Sequence, residues 1–182
     1  MTLYAAALFL HVVGVLLLAA ALTAEGVALA QLRRAETSAA VRTWTGVATL
    51  ARLFGPASAV TILVPGLYMM IASWGWVAWI AVGLVAWLAI AAIGAVNGIR
   101  FSTAAREAST DASAIPRLRG RAFAVSFWLR LSLALGIVFL MTAKPGLLGA
   151  CVTVVVAAAA GVAVGPIASG VQRNAQGEPL AS

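Results

Sequence analysis

The chain has 182 residues, of which 63% are hydrophobic and 9% charged, with twelve basic against five acidic residues and a formal net charge of +7. Its mean hydropathy is +1.05. So little charge cannot cover a water-soluble globule, whereas long apolar runs between short basic loops are what a bundle of membrane-spanning helices requires. One His, one Cys and five acids leave too few ligands for a multi-residue metal site or a Cys-rich redox centre, and Cys151 alone permits no intrachain disulfide.

Apolar stretches of about 20 residues, enough to cross about 30 Å of hydrocarbon, occur five times. The first covers residues 3–24 and continues as a helix toward Arg33. No Lys or Arg precedes it and no cleavage site follows it, so it reads as a retained helix rather than a signal peptide. Residues 35–53 come next, with Val41, Trp44, Val47, Ala48 and Leu53 among arginines, a pattern suited to an amphipathic helix along the headgroups. Its Arg42 and Arg52 would meet anionic lipid phosphates.

The second span, residues 56–73, is joined to the third, 77–96, by a turn so short that the two form an antiparallel hairpin. Pro65 removes a backbone hydrogen bond from the second span and predicts a kink there. A polar loop, 97–122, ends in Arg117-Leu118-Arg119-Gly120-Arg121, which reads as a topological anchor rather than a nucleic-acid site. The fourth span is 123–143 and the fifth 147–168, with Cys151 expected to pack as a small hydrophobe. The tail after Gly170 is expected to fray.

Ten of the eleven arginines flank the spans or lie in the tail, and Arg130 lies within the fourth; all eleven fall on one side if the N-terminus is outside, with Lys144 alone opposite them. This asymmetry predicts N-terminus out and C-terminus in. Tyr4, Trp74, Trp76 and Trp79 gather at the outer boundary, with Trp44 and Trp128 near the inner one, as amphipathic rings prefer. The fold class is therefore all-α, a polytopic transmembrane bundle of five spans, or of four, in a single domain. Small residues at Gly94 and Gly98, and at Ala157, Gly161 and Gly165, permit close helix approach, within one chain or between copies.

Function must rest on the polar groups at depth, since each is costly there. His11 could hydrogen-bond a neighbouring helix, ligate haem iron or relay a proton. Met69, Met70 and Met141 are the candidates for a sixth haem ligand, but each lies nearer the outer interface than His11, which favours five-coordinate iron or a ligand from another subunit. Arg130 should snorkel or find an acid, and Glu25 is the acid near its depth; the pair reads as a packing bond or as a gate, with Asn97 and Arg100 completing a polar cluster.

With these residues the chain resembles a bacterial family of predicted integral membrane proteins of unknown function. The resemblance is carried by Leu10-His11-Val12-Val13-Gly14, Gly55-Pro56-Ala57, Leu63-Val64-Pro65-Gly66-Leu67-Tyr68, Trp79-Ile80 and Met141-Thr142-Ala143-Lys144-Pro145. Helix count and the first-span His are also distantly similar to copper-resistance protein D and to HemJ-type protoporphyrinogen oxidases, which implies haem or metal at His11. The chain departs from the haem-enzyme pattern in having no further His and no buried Lys beside His11.

The resulting expectation is a multi-pass protein of the bacterial inner membrane without catalytic machinery, acting as an accessory or oligomerising bundle. Its expected partners are anionic inner-leaflet lipids and a second copy or a membrane complex, with no nucleic acid. A haem-binding or redox protein using His11 is the alternative, and a small transporter using Glu25 and Arg130 the second. Nucleophilic catalysis is not supported, because His11 and Glu25 stand roughly 21 Å apart along one helix.

Overall fold

The computed structural model describes residues 2–174, and within them the regular structure is all helical, with no strand. Helices α1 (Leu3–Leu32), α2 (Ser38–Met69), α3 (Ala78–Thr110), α5 (Arg121–Ala143) and α6 (Leu147–Asn174) are long; α4 (Ile115–Leu118) is a single turn. Five segments are long and apolar enough to cross a membrane: Leu3–Leu32, Ser38–Trp74, Ala78–Thr110, Ile115–Ala143 and Leu147–Ile167. The reason is local: in Ala- and Leu-rich runs the interior N–H and C=O groups pair within the helix, the condition for crossing hydrocarbon, except one turn before Pro56, Pro65 and Pro166. Side-chain caps start two of them, Thr2 Oγ1 accepting from Ala5 N and Thr37 Oγ1 from Ala40 N.

The bundle has two ends. At one, α2 runs into a turn of wider π-helix, Met70–Trp74, and reverses at Gly75, while α5 turns into α6 at Lys144. Gly75 has φ +64° and ψ −166°, a region open essentially only to glycine. This is the Trp74 end: Trp74 and Trp79 pack edge to face with centroids 5.8 Å apart, and Lys144 Nζ sits 4.3 Å from the Trp74 ring centre. At the other, basic, end lie Arg33, Arg34, Arg117, Arg119 and Arg121.

The basic end differs from the sequence expectation. Residues 38–69 form one continuous helix, so the segment expected to lie along the headgroups is the first half of α2; α3 likewise runs on through much of the expected loop, to Thr110. Val41 and Ala48 are buried in one cluster with Leu32, Phe101, Ala108, Ile115 and Leu118, while Trp44 and Val47 pack against it. The amphipathic face thus meets protein, not lipid, because the ends of α1 and α3 and the turn of α4 supply a matching apolar surface. Arg119 Nη2 closes this cap by donating to Ala35 O at 2.8 Å. Leu53, expected on the same face, is exposed.

Close packing follows the glycines. A Cβ on Gly14 would come within 2.8 Å of the Ile62 backbone, which marks a close approach of α1 and α2. One on Gly161 would meet Leu129 Cα at 2.6 Å, and one on Gly165 Val125 Cα at 2.7 Å, so both glycines serve α5–α6 packing within the chain. Gly94 and Gly98 do not act this way: Gly94 faces the Arg130 side chain, and Gly98 has nothing within 4 Å of a Cβ. Of the spans, α5 is the most buried and α6 the least, and Cys151 is exposed on α6 rather than packed. Exposed Leu16, Val60, Val85, Leu135 and Val155 suit a lipid-facing surface. The tail expected to fray after Gly170 stays helical to Asn174; residues 175–182 lie outside the described residues.

Candidate functional site

Four polar side chains are buried among the described residues: His11, Ser58, Ser126 and Arg130. Ser58 returns its hydroxyl proton to Gly55 O, 2.7 Å away on its own helix. The other three take part in contacts between helices, and around them the helices leave two clefts.

The first cleft lies toward the Trp74 end, has a volume of about 260 Å³, and is lined by His11, Tyr4, Trp79, Met69, Met70 and Met141 among others. His11 Nδ1 lies 2.9 Å from Ile62 O. A carbonyl oxygen only accepts, so Nδ1 carries a proton, and Nε2 has no protein partner among the described residues. The location of the bond has a cause in sequence: Gly66 leaves room for the imidazole, 3.3 Å from where a Cβ would stand, beside Pro65, which lacks the N–H that would otherwise reach the Thr61 carbonyl. Sequence distance hid the relationship, since the partner is a backbone atom 51 residues away.

Anchoring one ring nitrogen to a carbonyl is how ligating histidines are oriented, and the three methionines expected nearer the interface line the same cleft as His11. The volume does not suit haem. Pockets for drug-sized ligands run from about 300 to 1,000 Å³, a tetrapyrrole needs the upper part of that range, and the cleft falls below it. Among the described residues no three His, Cys, Asp or Glu converge as a metal group.

The second cleft, of about 510 Å³, lies toward the basic end between α1, α2 and α3, with α5 behind it. Here the structure brings Glu25 and Arg130 together: Arg130 Nη2 donates to Glu25 Oε1, joining α5 to α1. Arg130 Nε donates to Ser126 O at 3.3 Å, so the side chain runs back along α5 toward the basic end. Nη1 has no hydrogen-bond partner among the described residues and lies 3.5 Å from where a Gly94 Cβ would be, against the cleft wall. Asn97 Nδ2 donates to Ser126 Oγ and to Ile93 O, tying α3 to α5 beside the ion pair. Arg100, expected in this cluster, is exposed and does not line the cleft.

Arg52, which the amphipathic reading set among lipid headgroups, lines the cleft. Its Nη2 donates to Thr49 Oγ1 at 2.9 Å and no carboxylate pairs with it among the described residues. Trp87 lines both clefts and is the wall they share. Outside the bundle, Asp111 Oδ1 and Oδ2 accept from Ser113 N and Oγ, which holds the Asp111 carboxyl below its usual range. Nearby, Arg117 pairs with Glu107 in the open. Comparison with models of known families, with curated proteins and with solved structures found no match.

Proposed function

We infer that the chain is a non-catalytic, multi-pass protein of the bacterial inner membrane, a five-helix accessory bundle with its N-terminus and Trp74 end outside and its basic end in the cytoplasm. One observation carries the non-catalytic part: the ionisable groups at depth are spent on holding helices together, His11 on the α2 backbone and Glu25 on Arg130. Orientation rests on the crowding of arginines at one end against Lys144 at the other, the bias that short cytoplasmic loops carry. The bacterial assignment rests on the family resemblance.

Cysteine labelling tests the topology. In a Cys151→Ala background, Trp76→Cys should react with an impermeant maleimide in intact cells and Thr110→Cys only after permeabilisation; the reverse pattern sinks the orientation. For the accessory role, gently solubilised membranes should give a native-gel species heavier than one chain, and a lone monomer counts against it.

A second reading places a ligand at His11, favoured by the anchored ring, whose Nε2 has no protein partner among the described residues, and opposed by the volume of the cleft. Haem bound there would supply redox chemistry. A Soret band that disappears in His11→Ala would establish that reading.

A further inference from the structure

The basic-end cleft holds more positive charge than the bundle needs for its own packing. Arg130 and Glu25 cancel, which leaves Arg52 as an unmatched cation on the wall and Arg130 Nη1 as an unused donor on a side chain only 9% exposed. Facing them, Asn97 supplies a further polar edge; Leu18, Ala59, Trp87 and Ile90 make the rest of the surface apolar.

Depth narrows the occupant. The antiparallel register fixed by Gly14 against Ile62 brings Arg52 to the level of Glu25. Glu25 lies about 33 Å along α1 from Leu3 and Arg52 about 33 Å along α2 from Trp74. Since the hydrocarbon layer is about 30 Å thick, this level is the glycerol and phosphate boundary of the leaflet at the basic end. Leu18 and Ala59 stand about 10 Å nearer the membrane middle and Trp87 about 15 Å nearer it, where the middle and end of an acyl chain would lie.

We propose that this cleft is a binding site for one anionic phospholipid of the cytoplasmic leaflet, its phosphate held by Arg52 and Arg130 Nη1 and an acyl chain laid along the apolar wall toward Trp87. The inference rests on the membrane orientation given above. A neutral quinone-like amphiphile would need no surplus cation, and at this depth its head would leave the hydrocarbon; inorganic phosphate would use the two arginines but not the apolar wall.

Native mass spectrometry of the whole chain in mild detergent, titrated separately with phosphatidylglycerol, phosphatidylcholine, a neutral isoprenoid quinone and inorganic phosphate, tests this. One phosphatidylglycerol should be retained per chain, at least about fivefold more tightly than phosphatidylcholine. Arg52→Gln should weaken it by about fivefold. Gly98→Leu, which lies on the cleft wall and meets nothing within 4 Å of its Cβ, should fill the site and abolish retention while leaving the melting temperature within a degree or two. Equal retention of both phospholipids, retention unaffected by Gly98→Leu, displacement by the quinone at matched concentration, or phosphate alone competing as well as the lipid would each overturn the proposal. The cysteine labelling reads orientation independently, so its failure would be recognised apart from a failure to bind lipid.

Discussion

His11 Nδ1 donates to Ile62 O where α1 and α2 approach closely, one turn from where Gly14 packs on the Ile62 backbone. Hydrogen bonds between membrane helices contribute about 0.6 kcal/mol on average and about 1.7 at most. Close backbone approach is less forgiving, because a methyl group at Gly14 must displace main chain. His11→Ala should therefore destabilise the bundle by about 1 kcal/mol and Gly14→Ala by about 1–3 kcal/mol. Thermal melting in detergent checks the ranking, and a larger loss from His11→Ala would show that the ring does more than fasten two helices.

The Glu25–Arg130 pair predicts non-additivity. Arg130→Ala leaves a carboxylate with no partner in the bundle and should cost about 3–5 kcal/mol, whereas the double substitution with Glu25→Ala should recover part of that loss. A double-mutant cycle on melting curves reads the coupling directly; simple addition of the two losses would mean that the pair is not coupled. A proteoliposome ion-flux assay of Glu25→Gln should match the parent, and a changed flux would revive transport.

Glycines separate packing from space. Gly161→Ala should destabilise by about 1–3 kcal/mol because α5 backbone blocks the added carbon. Gly98→Ala, with nothing in its way, should be neutral or stabilise by about 0.4–1 kcal/mol through helix propensity. Two variants with equal effects would mean that the α5–α6 contact is looser than the structure has it.

At the Trp74 end, Lys144 occupies a left-handed conformation, φ 48° and ψ 51°, while its ammonium sits over Trp74. Lys144→Ala forfeits about 0.5–1 kcal/mol of cation–π attraction and keeps the strain, whereas Lys144→Gly forfeits the same attraction and removes the strain. Alanine should thus melt below glycine, and Trp74 emission should shift in both; identical melting would sink the account.

The turn after α3 supplies a pH dependence. Hydrogen bonds from Ser113 lower the Asp111 pKa from 3.8, so the carboxylate stabilises the turn above that ordinary value and loses the contribution as pH falls through the lowered one. Amide signals of Ser113 followed by NMR should stay constant from neutral pH to about 4 and move only in stronger acid; movement near neutrality would contradict it.

The spans were legible in the sequence because twenty apolar residues have few alternatives to crossing a bilayer. Charges at depth were also legible: Arg130 has few acids within reach, and Glu25 stood out on that ground. The cap was not, because the apolar face of residues 38–53 has the same spacing whether it meets lipid or protein, and its partners Phe101, Ala108 and Leu118 come from the far side of the chain. Nor was the basic-end cleft, which depends on Gly94 facing the Arg130 side chain and on Gly98 being open space rather than part of a packing groove, a distinction no spacing rule contains. Lys144 offered one unread signal, standing before Pro-Gly at a helix end where a left-handed residue is common.

Glu25 and Arg130 are 105 residues apart in sequence. At about 5–20 residues per second, a ribosome finishes Arg130 roughly 5–20 s after Glu25. For that interval the first helix already exists while its guanidinium partner does not, so Glu25 has no Arg130 to pair with. The order of synthesis therefore sets the order of the latch: α1 and α2 are both made before α5, and the polar latch can shut only when α5 arrives. A nascent chain halted before residue 130 would present a membrane carboxyl with nothing to hold it, a group that the finished protein pairs with Arg130.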